Sequence, residues 1–285
     1  MTDALRVYVR GGHKKVDGWL SAIAVDATLN LAVVQKRMGI RGAATEIGIH
    51  EGRFFVLLQL LTEPPEMSVA WDLFEHQQEN VDKSGRGDKD SFTANLARHG
   101  CDLSRVRIYS INSINLTPER LLAECKSKVR LFSVDGGHSA KSTCNDLALA
   151  AASLCEGGLI FVDDFFNADW PGVAEGACEY LLSHKEVLHP IAIVGNKFIF
   201  TNTETMAKRY LQALSNSYQR SHCFVKKSVV FGGETLTITP YGAPQGHFID
   251  RILDFGTNTK MWRSIRYTAT GKFLKLMLRQ FKDVS

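Results

Sequence analysis

This sequence is short of several things, and each shortage excludes something. None of the six cysteines, at positions 101, 125, 144, 155, 178 and 223, stands in a C-x-x-C pair. That argues against a structural zinc site or a redox pair and fits free thiols in a reducing cytoplasm. No uninterrupted apolar run reaches the ~18 residues of a membrane-spanning helix. The opening stretch "MTDALRVYVRGGHKK" lacks the apolar core of a secretory signal, so a cytoplasmic location is expected. There is no internal repeat and no low-complexity tract of the kind that stays disordered. With 45% hydrophobic residues in 285, the chain can bury a sizeable core. Its length fits one large domain, or one domain plus an extension, at ~100–200 residues each.

Charge of one sign is also scarce overall, with a net +4, but it is unevenly placed. Lys260 to Ser285 holds seven basic residues against the single acid Asp283, which leaves the preceding 259 residues near −2. A solvated helix face is the simpler reading of that tail, and peripheral contact with an anionic membrane is the alternative. Basic and aromatic residues do not interleave in the manner of RNA-binding segments, so no nucleic-acid partner is expected. Oligomeric state cannot be read from the sequence, and a homo-oligomer is left open.

What is present is a regular alternation of apolar strands and helices. "WLSAIAVDATLNLAVVQKRM" (19–38) reads as a long helix ended by Gly39. Strands are expected in "GAATEIGIH", "MSVAWDLFE", "VRIYSINS", "VRLFSVD" and "LIFVDDFF". Between them come the helices "EGRFFVLLQLL", stopped by Pro64-Pro65, and "DSFTANLARHG", with Asp90 or Ser91 as N-cap. "TPERLLAECKS" follows, with Pro118 in its first turn, then "SAKSTCNDLALAAASLCEGG", closed by Gly157-Gly158. After the helix "WPGVAEGACEYLLSH", a hairpin turns at Gly195-Asn196. The fold class is therefore α/β: a Rossmann-like, mostly parallel, seven-stranded sheet with an antiparallel last strand and helices on both faces. After about residue 205 the pattern weakens to one helix and a hairpin around Gly232-Gly233. Residues 1–205 are expected to form the main domain, and 206–285 an accessory extension packed on the sheet.

In such sheets ligands sit outside the carboxyl ends of the strands. The first strand ends in Glu46-Ile-Gly48-Ile-His-Glu-Gly52, a turn whose glycines could let backbone approach a ligand. His50 and Arg53 replace the later glycines of a dinucleotide loop, so the turn suits a ligand without a pyrophosphate. Asp72, at the end of the second strand, stands where an acid commonly accepts hydrogen bonds from ribose. Asn112 and Ser113 end the third strand and suit an adenine pocket. A bare turn or a surface strand end is the competing reading of each. Asp135 ends the fourth strand and Asp163-Asp164 the fifth, 28 residues later. Neighbouring strands lie ~4.8 Å apart, so three carboxylates would crowd one rim, and a hard cation such as magnesium would relieve them. His138, three residues past Asp135, could take the proton of a metal-bound hydroxyl; otherwise it caps a helix.

Taken together, these elements, over residues 17–203, resemble the class I S-adenosylmethionine-dependent methyltransferases. "EIGIHEG" is similar to their first motif, and Asp72 falls at their ribose-binding acid. Asp135, Asp163 and Asp164 resemble the metal site of the magnesium-dependent O-methyltransferases of catechols and sugars. D-x-x-H followed by D-D is closer to the macrolide-sugar enzymes, whose base is a histidine. Gly137 stands where another sugar-methylating subgroup carries an acid as base. "AWDLFEHQQENVDKSGRGDKDSFTANL" also looks like a bacterial branch associated with polysaccharide assembly. The resemblance implies S-adenosyl-L-methionine along Glu46, Gly48, Gly52, Asp72, Asn112, Ser113 and Asp135. It implies magnesium on Asp135, Asp163 and Asp164, His138 as base, and a small-molecule or glycan acceptor bound partly by the 80–90 loop. Two other readings stay open: a metal-dependent hydrolase or phosphatase, which would lack a D-x-D pair on its first strand, and a non-catalytic cofactor-binding partner of a glycosyltransferase.

Overall fold

A computed structural model describes residues 1–219 and 223–240. The basic tail from Lys260 to Ser285 lies outside these. The chain divides into two compact units, Met1–Ile238 and Thr239–Ser285, and nearly all described residues belong to the first.

Two short pieces precede the long helix: α1 (Asp3–Val9) and a 3-10 turn at Gly12–Lys15. The helix itself, α2, runs Ala22–Arg37. It starts three residues later than the apolar pattern does, because Ser21 caps it by accepting from the Ala24 N–H. Next come β1 (Ala43–Ile47), α3 (Arg53–Leu61), β2 (Ser68–Asp72), α4 (Lys89–Arg98) and β3 (Val106–Ser110). The cap of α4 is Asp88, bonded to the Ser91 N–H, and not the predicted Asp90 or Ser91. Then follow α5 (Pro118–Cys125), β4 (Val129–Val134), α6 (Ala140–Ser153), β5 (Leu154–Asp163) and α7 (Pro171–Ser183). Gly157 and Gly158 do not close α6. They lie inside β5, where a Cβ on Gly158 would strike the Leu154 side chain and the Val129 carbonyl.

The hairpin β6 (His189–Val194) and β7 (Lys197–Thr201) is as expected, and α8 spans Glu204–Tyr218. Past residue 205, β8 (Cys223–Val230) and β9 (Gly233–Pro240) join the same sheet instead of packing on it. Among the described residues the sheet thus has nine strands, not seven, in the order β3-β2-β1-β4-β5-β7-β6-β9-β8. Two extra strands arise because β9 pairs in parallel with β6, Ala192 opposite Leu236. Within the seven expected strands the antiparallel one is β7, which β6 precedes in sequence and β5 and β6 flank in space.

Both faces are covered, which is why the central strands are apolar without alternation. Leu131, Leu159 and Phe161 pack with α2, α3 and α8, while Phe132, Ile160 and Val162 pack with α5, α6 and α7. The first five strands follow the doubly wound 3-2-1-4-5 order, whose switch point lies between β1 and β4. The crevice for a ligand is therefore outside Ile47 and Val134, where Asp135 donates its N–H to the Ile47 carbonyl at 2.9 Å.

Candidate active site

Side chains alternate between the faces of a strand, and the register places four charged groups on one face at this rim. Glu46 is opposite Ser133, and Ser133 is opposite Phe161. Asp135 and Asp163 stand two residues further along, and Asp163 is the cross-strand partner of Lys197. Asp164, the next residue, leaves the strand with φ +54°, a left-handed conformation that costs an L-residue ~1–2 kcal/mol. Its N–H is held by the Asn196 carbonyl and its Oδ1 by Asn167. The strained turn brings its carboxylate back to the rim. One oxygen each from Asp135, Asp163 and Asp164 then lies within 4.8 Å of the others.

This cluster passes a simple test of fit for a hard divalent ion. Oxygens around magnesium are ~3.0 Å apart when adjacent and ~4.2 Å when opposite, so carboxylate rotations would draw this cluster in around the ion. Asp163 is buried and its Oδ1 has no hydrogen-bond partner, an acceptor left unspent. Burial and the neighbouring Asp163 charge together push the Asp135 carboxyl well above its ordinary range.

His138 stands just before Ser139, the N-cap of α6. Its backbone N–H and its Nδ1 both meet Asp82 Oδ2 at 2.8 Å, and Ser84 Oγ is 3.0 Å from the same nitrogen. The carboxylate partner assigns the proton to Nδ1, which leaves the Nε2 lone pair directed to the cluster, 3.6 Å from Asp164 Oδ2. The ring stacks on Trp170 with centroids 4.2 Å apart. Burial lowers its basicity most, but hydrogen bonds and charge from Asp164 and Asp82 outweigh that and hold its pKa above the ordinary value. Asp82, raised by burial but bonded by Ser84 and His138, is held down to about 2.

The glycine loop is built differently from the expectation that its glycines clear space for a ligand. Gly48, at φ +84°, has the Asp135 carbonyl oxygen 1.8 Å from where a Cβ would be. Gly52, at φ +86°, caps α3, and a Cβ there would lie 2.4 Å from the Phe92 ring. A Cβ on Gly136 would meet Asp146 Oδ2 at 2.7 Å. In each case protein fills the space, and the glycines let the loop pack on itself.

Asp72 is similarly engaged. Its Oδ2 accepts from the N–H of Ile49 (2.6 Å) and His50 (3.0 Å), and its Oδ1 from Phe74 (2.8 Å). A carboxylate has about four acceptor sites, so roughly one remains for a ribose hydroxyl. Asn112 caps the next turn through Ile114 and donates to Glu79, and Ser113 is buried beside it. Glu46 is buried with Oε2 unpartnered, and burial, only partly offset by Lys197 and Ser133, pushes its pKa up to about 8.

Lys197, Asp82 and Trp170 were not among the residues singled out from sequence. Lys197 is 1% exposed, with Nζ 3.1 Å from Asp163 Oδ2, 4.0 Å from Asp135 Oδ2 and 4.3 Å from the Phe54 ring centroid. Burial disfavours its charge, yet Asp163, Asp135 and Glu46 hold its pKa above the usual value. One signal was available: a lysine opening the otherwise apolar strand "KFIFT", right after a hairpin turn. Asp82 and Trp170 carried none beyond lying near motif residues.

A doubly wound sheet with an acidic rim at its switch point defines a nucleotide-type binding fold, and the comparisons with known proteins specify which. Residues 45–165 match the family described as Methyltransferase domain. Residues 45–165 thus form a methyltransferase domain of the S-adenosylmethionine-dependent class. No curated protein matches it in sequence. Among solved structures, the O-methyltransferase NovP is similar at a TM-score of 0.53 and 14% identity, over 65% of this chain and 82% of that one. The TDP-rhamnose 3'-O-methyltransferase CalS11 gives 0.47 and 19%, over 62% and 78%. TomG from Streptomyces achromogenes, in complex with its cofactor, gives 0.41 and 15%, over 83% and 87%. At these identities the likeness to NovP is one of fold, and the other two carry no further weight.

Proposed function

We propose that this chain is an O-methyltransferase that holds an acceptor hydroxyl on a divalent metal, with a sugar or glycosylated molecule as acceptor. The observation that carries this is His138 Nε2 facing the rim of the Asp135, Asp163 and Asp164 cluster, 3.6 Å from Asp164 Oδ2, so that a hydroxyl bound beside the cluster would lie within reach of that nitrogen. A metal held there would supply Lewis acidity to that hydroxyl.

The residues divide the work. Asp82 fixes the tautomer and angle of His138, and Trp170 fixes its plane. His138 Nε2 is placed to take the hydroxyl proton, while S-adenosylmethionine bound on the donor side would supply the methyl group to the hydroxyl oxygen and leave as the neutral thioether S-adenosylhomocysteine. Orientation of two reactants can supply several kcal/mol of the barrier. On the donor side, the rim of Glu46, Gly48, Gly52, Asp72, Asn112, Ser113 and Asp135 borders the switch-point crevice. Support for a sugar acceptor comes from the D-x-x-H and D-D spacing and from Phe166, a 62% exposed ring two residues past Asp164 in sequence, of a kind that suits the apolar face of a pyranose.

Calorimetry with S-adenosylhomocysteine, with and without magnesium, tests the reading. Binding in both conditions, tighter or with added heat when magnesium is present, is expected. A chain that binds the nucleoside but takes no divalent ion at millimolar concentration refutes the metal part, and no nucleoside binding refutes the whole.

A further inference from the structure

Lys197 is a buried cation among the carboxylates proposed to hold a metal, and the fold shows how it treats a buried cation used only for structure. Arg130 is 4% exposed; its Nε and Nη2 each meet a Glu66 oxygen at 3.0 Å, Nη1 meets Gln35 at 2.9 Å, and Nη2 also meets the Leu61 carbonyl at 2.8 Å. Its donors are spent in aligned bonds. Lys197 is deeper still, yet its Nζ has no aligned hydrogen bond. It approaches Asp163 at 3.1 Å and Asp135 at 4.0 Å as a charge, backed by the Phe54 ring. An ammonium has three donors, and leaving them unspent inside a protein is costly. The unpartnered Oδ1 of Asp163 sits on the same carboxylate. Both halves of the pair therefore hold bonding capacity in reserve at one point.

We infer that Lys197 is the resident counter-ion of the aspartate cluster, a positioning residue that pre-sets Asp135 and Asp163 and tunes the cluster to one divalent ion. When a metal binds, all three carboxylates are ionised and carry −3. With the ammonium they carry −2, which a single divalent cation neutralises. The ammonium holds the two aspartates at the rim before the ion arrives and weakens the ion's grip by like-charge repulsion, so the site exchanges it readily. Without Lys197, a bound divalent ion takes over the holding of Asp135 and Asp163.

The inference rests on the metal reading above, and the experiment separates the two. Lys197→Met keeps the length of the chain and removes the charge. Magnesium and manganese affinities are measured by calorimetry on both proteins, and melting temperatures are taken in chelator and in 10 mM magnesium, about a saturating level for an exchangeable site. Lys197→Met is expected to bind either ion at least ~10-fold more tightly, as repulsion over a few ångströms at an effective dielectric near 20 allows. Its melting point is expected to rise on adding magnesium by clearly more than that of the wild type. Equal affinities and equal shifts overturn the role of Lys197 and leave the metal reading standing. No divalent binding by either protein removes the metal reading and this inference with it. A Lys197→Met chain that stays unfolded in saturating magnesium also overturns the inference, because the ion then fails to replace the ammonium.

Discussion

Glu46 offers the sharpest quantitative test of the site's electrostatics. It is buried on β1, one carboxyl oxygen has no partner, and burial pushes its pKa from an ordinary 4.5 up to about 8. The folded chain therefore keeps a proton that the unfolded chain loses from about pH 4.5 upward. Where the folded state binds more protons, stability falls as pH rises. The penalty starts near the unfolded value, grows through neutrality and levels off above about pH 8. At ~1.4 kcal/mol per pH unit it reaches about 3 kcal/mol at pH 7. Glu46→Gln removes the ionisable group and with it this slope. The amide brings its own cost, ~1–3 kcal/mol if its donors go unpaired, but that cost does not vary with pH. The decisive quantity is thus the stability of Glu46→Gln minus wild type, from urea unfolding of the ligand-free proteins at pH 5, 6, 7 and 8. It should rise by about 3 kcal/mol across the range. A difference that is flat with pH means that Glu46 is ionised in the folded protein, and the account of the rim's charges is then wrong.

The remaining predictions concern the base and the loop. His138→Ala should lower methyl transfer by ~10²–10⁴-fold while leaving S-adenosylhomocysteine affinity within about threefold, and equal losses in both would count against a base. Asp82→Asn should move the His138 imidazole pKa downward in an NMR titration, because one of the two carboxylates that raise it is gone. The acid limb of the rate profile should follow to lower pH, since the base must be neutral to act; an unmoved titration would show that Asp82 does not face the ring in solution. Gly48→Ala should fail to give folded protein by circular dichroism, since its Cβ would stand 1.8 Å from the Asp135 carbonyl. Gly52→Ala should be destabilised and partly rescued by Phe92→Leu, with ~1–2 kcal/mol of backbone strain left over in urea unfolding.

The central fold was legible because its signals are local. Continuous apolar strands between capped helices dictate a covered parallel sheet, and Thr117-Pro118 or Gly195-Asn196 mark their own ends. The errors fall where a long-range partner decides. Gly157 and Gly158 look like a helix stop, but β5 reaches back to pair Leu154 with Val129 and takes them into the sheet. Nothing near Gly232 announces that β9 will lie beside β6 and add two strands.

The site divides in the same way. Asp135, Asp163, Asp164 and His138 could be placed at one rim because each ends or follows a strand whose order the pattern implies. Their partners could not. Asp82 reaches His138 from 56 positions away, and Lys197 meets Asp163 through antiparallel register rather than sequence proximity. For the glycine loop, the reason read from the sequence, space for a ligand, differs from the reason the packing shows. Gly48 and Gly52 are required because Asp135 and Phe92 occupy the space of their missing side chains. That packing has a functional consequence. It ties the backbone of the glycine loop directly to the backbone of Asp135, so a shift of either would move the other. In the proposed reaction, donor and acceptor positions would thereby be held in one rigid unit, which is what a transfer dependent on alignment needs.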